Sequence, residues 1–120
     1  IMATFSTHIL SSLDGTHLSN VEVSLLEISK GGKRKTIFQK KTDLGGRVKT
    51  QFSPKIGEKF EHQVVITMPE SLDTISEKDK SGKNTTVFSI SIGIKFENID
   101  ATYHMPFILS PYGFSSWISR

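Results

Sequence analysis

A chain of 120 residues, 36% of them hydrophobic, is long enough to bury a core without covalent staples. It contains no cysteine, which excludes disulfides, thiolate nucleophiles and cysteine metal ligands and fits a reducing compartment. The net charge of +3 is spread over lysines between Lys30 and Lys41 and between Lys78 and Lys83, without the interleaved aromatics that base stacking uses, so no nucleic-acid partner is expected.

The elements predicted in chain order are short alternating segments separated by turn clusters, the pattern of an all-β domain. Ala3 to Leu10 alternates weakly and ends before the turn pair Asp14-Gly15. In the second strand, Asn20 to Ser29, Val21, Val23, Leu25 and Ile28 are assigned inward and Glu22, Ser24 and Glu27 to water. Lys30-Gly31-Gly32-Lys33 makes a turn into a third strand, Arg34 to Lys41, whose lysines suit a protected sheet edge. The loop Thr42-Asp43-Leu44-Gly45-Gly46 presents Arg47 at the opening of a fourth strand, Val48 to Phe52.

A fifth strand runs from Phe60 to Met68. Pro69 at a first helical position, followed by acids, predicts one short helix through Ile75. Glu77 to Asn84 reads as a polar, disordered loop. The sixth strand, Thr86 to Phe96, gives the cleanest period of two, through Phe88, Ile90, Ile92, Ile94 and Phe96. The ending reads as a hairpin: a strand to Leu109, the turn Ser110-Pro111-Tyr112-Gly113, and an aromatic segment holding Phe114 and Trp117. Pro106 cannot donate to a ladder, so this part of the strand belongs at an edge or a bulge, where His104 can reach an open surface.

No apolar run approaches the ~20 residues that span a bilayer, so no membrane partner is expected. The start lacks a charged region followed by an apolar one, and Ser119-Arg120 is no peroxisomal address, which makes cytoplasmic the expectation. The whole of residues 1–120 is expected to form one domain.

Three stretches carry a resemblance. They are Phe5-Ser6-Thr7-His8-Ile9-Leu10, Thr42-Asp43-Leu44-Gly45-Gly46-Arg47-Val48, and the run from Tyr103-His104-Met105-Pro106 through Ser110-Pro111-Tyr112-Gly113-Phe114-Ser115-Ser116. In this order the chain resembles the transthyretin-like family, whose enzyme branch is 5-hydroxyisourate hydrolase. The resemblance implies a transthyretin-like β-sandwich of seven to eight strands with one short helix. It further implies a homotetramer, a dimer of dimers, acting on a small purine-derived substrate without a cofactor.

It also assigns roles. His8, Arg47 and His104 match the hydrolase's catalytic positions, which the hormone-carrying branch has replaced. Ser119 is a fourth candidate, because the enzymes' terminal Tyr-Arg-Gly-Ser stands here as Trp117-Ile118-Ser119-Arg120. A one-residue displacement along a strand turns a side chain to the opposite face, so a bulge, the terminal Arg120 or a changed substrate has to accommodate the difference. The middle of the chain departs as well, at Glu70-Ser71-Leu72 and Thr86-Val87-Phe88.

The residue types suit the chemistry. Opening a cyclic amide with water needs a base for water's proton, a cation for an electron-rich heterocycle and a donor for the developing oxyanion. Two imidazoles and a guanidinium can supply all three, and an arginine near a histidine favours the neutral imidazole. Taken alone, His8 and Arg47 suit an ordinary solvated role better than a catalytic one, and His104 suits either equally. His17 and His62 match no family role and are assigned to the surface, and no His-x-x-x-His spacing suggests zinc. Two alternatives stay open beside the hydrolase: a small-molecule carrier on the same scaffold, and a hydrolase of another lactam.

Overall fold

The computed structural model describes residues 2–57, 59–72 and 87–119. Nine strands occur among them: β1 (Ala3–Ser11), β2 (Glu22–Ser29), β3 (Arg34–Lys41), β4 (Arg47–Phe52), β5 (Phe60–Thr67), β6 (Ser89–Ile94), β7 (Thr102–His104), β8 (Phe107–Ser110) and β9 (Gly113–Ser116). One sheet has the order β4-β1-β8-β9, with β7 also on β1, and the other has the order β3-β2-β5-β6. This is the transthyretin-like sandwich expected from the sequence.

Two details differ from the expected count. The penultimate strand is two, β7 and β8, because Met105-Pro106 interrupts the ladder where proline brings no N–H. The expected helix is a single 3-10 turn, Glu70–Leu72, and its continuation to Ile75 lies outside the described residues, as does the loop from Glu77 to Asn84.

β1 is the strand around which the first sheet is built. Its residues alternate strictly, with Ala3, Phe5, Thr7, Ile9 and Ser11 buried and Thr4, Ser6, His8 and Leu10 half-buried on the outer face. β4 runs antiparallel on one side, with His8 opposite Arg47 and Ser6 opposite Lys49. On the other side β7 and β8 run parallel, with Ser6 opposite His104 and Ile9 opposite Phe107. Both segments keep the same offset from β1, so Pro106 stands opposite His8. The gap in the ladder is closed locally, because the Met105 amide donates to the Ser6 carbonyl and the Thr7 hydroxyl donates to the Met105 carbonyl at 2.6 Å.

The core lies between the sheets, where Phe5, Ile9, Phe107 and Leu109 meet Val23, Leu25, Val64 and Ile66. Burying each of these side chains contributes on the order of 1.5–3 kcal/mol. β3, with only Phe38 buried and Ile37 half-buried, is the lysine-rich edge that was expected.

Strict alternation overrides residue type at two places, and at a third the alternation itself stops short. Glu27, assigned to water, follows Val23 and Leu25 inward and is only 6% exposed, with an ion pair to Lys55 at 3.7 Å. His62, assigned to the surface, shares the parity of Val64 and Ile66 and is 2% exposed, directly opposite Glu27 and edge-on to Phe96. Phe88, assigned to the alternating core, is 78% exposed because the ladder begins only at Ser89. Val87 instead packs against the core, and its amide donates to the Pro111 carbonyl of the other layer.

Among the described residues, the buried Nε2 of His62 has no hydrogen-bond partner. Burial lowers the pKa of this imidazole, and the nearby Glu27 carboxylate opposes that in part. A histidine whose folded-state pKa is depressed binds protons more readily when unfolded, so folding stability is retained above the ordinary value near 6.5 and declines as pH falls below it. The thermal midpoint of the wild-type chain should therefore fall between about pH 7 and pH 5, and His62→Gln should flatten that decline. Parallel profiles for the two proteins would show that His62 is not the titrating group.

Candidate functional site

His8, Arg47, His104 and Ser119 come together on the outer face of the first sheet. β1 supplies His8, the first residue of β4 supplies Arg47, the last residue of β7 supplies His104, and the strand order places all three side by side. Neighbouring strands about 4.8 Å apart and a two-residue rise of about 6.6 Å put the Cα atoms of His8 and His104 about 8 Å apart on the diagonal. His8 and His104 are half-buried and Arg47 is exposed.

Ser119 joins them through the terminal segment. Phe107 is opposite Ser116, and an isolated bridge puts Ser119 opposite His104 in the same antiparallel register, with no bulge between. The Ser119 amide donates to the His104 carbonyl at 2.8 Å, and the His104 amide donates back at 3.1 Å. Residues directly opposite share a face, so Ser119 lies on the face of His104. The same register brings Trp117, 51% exposed, opposite Pro106. Two rows therefore cross the sheet: Arg47, His8, Pro106 and Trp117, and beside it Lys49, Ser6, His104 and Ser119.

The loop before β4 is built to close approach. The Asp43 carboxylate accepts the amides of Gly45 and Arg47, each at 2.9 Å, and the Gly46 carbonyl accepts the Ile9 amide at 2.8 Å. Gly46 has φ of +74°. A Cβ there would meet the Ile9 carbonyl oxygen at 2.7 Å and the His17 Cβ at 3.2 Å. Thr42, buried under the loop, donates its hydroxyl to the Leu18 carbonyl and accepts the Val21 amide, tying the loop to the segment that follows the first turn.

That turn brings in a residue that the sequence reading left at the surface. Gly15 donates to the Ser11 carbonyl, Asp14 accepts the Thr16 amide and hydroxyl, and Ser11 donates to the Thr16 carbonyl. The chain then doubles back, bridges His17 to Leu10, and sets the His17 ring edge to edge with His8, centroids 4.9 Å apart. The His17 Nδ1 lies 2.8 Å from the His8 Nε2. The signal available in the sequence was Asp14-Gly15, a tight turn after a strand that ends beside His8, which folds the following residues back along it.

Electrostatically the face is basic. Burial lowers the His8 pKa most, and the Arg47, His17 and His104 charges lower it further, while hydrogen bonding to the Gly45 carbonyl works the other way. His8 is therefore neutral, and a proton acceptor, at neutral pH. His104 is held by Ser6, whose Oγ lies 3.0 Å from its Nδ1. Among the described residues, the Arg47 guanidinium has no ion-pair partner, since Asp43 is engaged with backbone amides. The described residues also bring together no group of three or more His, Asp or Glu that could hold a metal.

The two sheets, ordered β4-β1-β8-β9 and β3-β2-β5-β6, make a transthyretin-like sandwich. The family description Transthyretin: HIUase/Transthyretin family matches residues 5–118, and the chain belongs to that family. Among solved structures, 5-hydroxyisourate hydrolase of Klebsiella pneumoniae is 24% identical, with a TM-score of 0.64 over 98% of this chain and 99% of that one. Transthyretin from Sparus aurata is 16% identical, with a TM-score of 0.66 over 96% and 95% of the two chains. (S)-allantoin synthase is 19% identical, with a TM-score of 0.73 over 99% of this chain and 44% of that longer one. No curated protein sequence matches the chain. No helix among the described residues is long and apolar enough to cross a membrane.

Substituting Gly46→Ala forces a side chain into left-handed backbone against a carbonyl oxygen, a strain of about 1–3 kcal/mol. Denaturant unfolding should register that loss. A variant as stable as the wild type would show that the loop relaxes without cost.

Proposed function

We propose that the chain is a metal-free hydrolase that opens a cyclic amide, of the 5-hydroxyisourate hydrolase type, serving purine breakdown as a single cytoplasmic transthyretin-like domain. The observation that carries this reading is the juxtaposition of His8, Arg47, His104 and Ser119 in two adjacent rows of one sheet face. Family membership, with a hydrolase among its structural neighbours, supports it.

On this reading a neutral imidazole of the His8/His104 pair accepts a proton from water as the water oxygen bonds to the ring carbonyl carbon. The resulting tetrahedral oxyanion is stabilised by the Arg47 guanidinium, whose planar fork matches adjacent oxygens of a purine-derived ring. Collapse breaks the carbon–nitrogen bond, and the departing nitrogen takes the proton back from imidazolium. Ser119 supplies a hydroxyl beside His104, and the Trp117 indole supplies a plate for a planar ring.

We further propose that the working form is a homotetramer, a dimer of dimers, with the basic faces covered by neighbouring copies. The supporting observation is apolar surface near the two sheet edges: Phe88 beside β6, and Phe114 (47% exposed) and Trp117 along the terminal segment.

Freshly generated 5-hydroxyisourate should lose its ultraviolet absorbance faster in the presence of protein. His104→Asn should abolish most of that acceleration, by about 10²–10⁴-fold, with the fold intact by circular dichroism, and Arg47→Lys should raise KM more than it lowers kcat. Saturable binding without accelerated decay would replace the enzyme by a small-molecule carrier, and decay of a different lactam alone would change the substrate. Sedimentation equilibrium should give four times the chain mass; a concentration-independent monomer would remove the assembly.

A further inference from the structure

We propose that His17 is a positioning residue for His8, sharing one proton with it across the Nδ1 to Nε2 contact so that the two rings act as a single proton-accepting unit. The role in turnover rests on the hydrolase reading above, whereas the shared proton does not.

The geometry is specific. At 2.8 Å two imidazole nitrogens must have a proton between them, since two lone pairs would repel at that distance. The rings meet edge to edge, with centroids 4.9 Å apart and an interplanar angle of 31°, so the nitrogens face one another close to the ring planes. His17 is not free to drift, because the Leu10 bridge and the Leu18 amide, donating to the Ile9 carbonyl at 2.9 Å, fix its backbone against β1. It stands beside Leu10 just past the point where β4 begins at Arg47, so it extends the sheet face by one further row.

Other groups face this pair from each neighbouring element: Arg47 on β4, His104 on β7, and the Gly45 carbonyl in the loop. The fixed charge among them, Arg47, is a cation, and no carboxylate acts on the His8 ring. One proton on the pair is tolerable because it is shared, and a second would set two imidazolium rings in contact beside a guanidinium. Coupled groups of this kind take up protons in two macroscopic steps that belong to the pair. Between those steps the pair holds a fixed hydrogen bond, which keeps the His8 ring oriented toward the row it shares with Arg47.

The test uses nitrogen-15 NMR titration of the full chain. In wild type the His8 and His17 imidazole nitrogens should shift together in two separated steps. His17→Phe keeps an aromatic ring and removes the nitrogen; there His8 should titrate in one step at a displaced midpoint. Superposable His8 curves in the two proteins overturn the proposal, and so does independent single-step titration of the two rings in wild type, which decides the matter even if His17→Phe fails to fold.

Turnover of 5-hydroxyisourate tests the role separately. His17→Phe should lower kcat about tenfold with KM within twofold, and the acid limb of kcat/KM should move with the NMR titration. His17→Asn, which keeps a donor near the Nδ1 position, should recover most of kcat. Unchanged kcat in both variants overturns the positioning role. A wild-type chain that does not hydrolyse the compound sinks the hydrolase reading, and with it the role in turnover, while leaving the shared proton to be judged by the titration alone.

Discussion

The register of β1 is the constraint on which the rest depends. It pairs with β4 on one side and with β7 and β8 on the other, so one parity choice decides what faces the core and what faces outward across three strands. With Phe5, Thr7 and Ile9 buried, His8 must lie outside, and Arg47 and His104 with it. A slip of one residue would bring His8 into the apolar interior and turn Phe5 and Ile9 to water. Losing those two burials alone forfeits roughly 3–6 kcal/mol, comparable to the whole net stability of a small domain. The same packing that holds the sandwich together therefore fixes the basic face.

Pro106 occupies an unusual place in that register. It stands opposite His8 at the break between β7 and β8, where the ladder loses a donor. The cost is contained because the Met105 carbonyl is taken by Thr7 and the Pro106 carbonyl by the Ser116 hydroxyl at 2.9 Å. What results is a ladder that changes strand pairing without changing offset. His104 thereby keeps its register while the neighbouring position carries a rigid, apolar ring.

Much of this was legible in the sequence, because period two is a physical constraint rather than a tendency. The two sheets follow from it, as does the lysine-rich edge at β3. The positions of His8, Arg47 and His104 were readable through the family resemblance, and the structure shows that they share a face. Where residue type was allowed to override parity, the reading failed. Glu27 and His62 were assigned to water because they are polar, yet both sit at core parity and face one another across β2 and β5. Phe88 failed in the opposite direction, since alternation was extended past the point where Val87 ties to the other layer. His17 was missed for a different reason. It reaches His8 through a turn closed by side chains of Asp14 and Ser11, and nothing in the periodicity of the flanking segments marks that return.

Proton chemistry on an open sheet face has an electrostatic difficulty. Two unit charges 4 Å apart interact by about 1 kcal/mol in water and by about 4 kcal/mol at the effective dielectric of a partly covered site. Arg47, exposed in the single chain, would stabilise an oxyanion weakly there. Covering the face with another copy would strengthen that attraction, and it would equally strengthen the burial, and the repulsion from Arg47, His17 and His104, that keep His8 neutral. Both changes favour the same protonation state. On the proposed reading, assembly and catalysis are then one problem: the chain arranges the groups, and the dielectric that makes them effective comes from whatever lies over them.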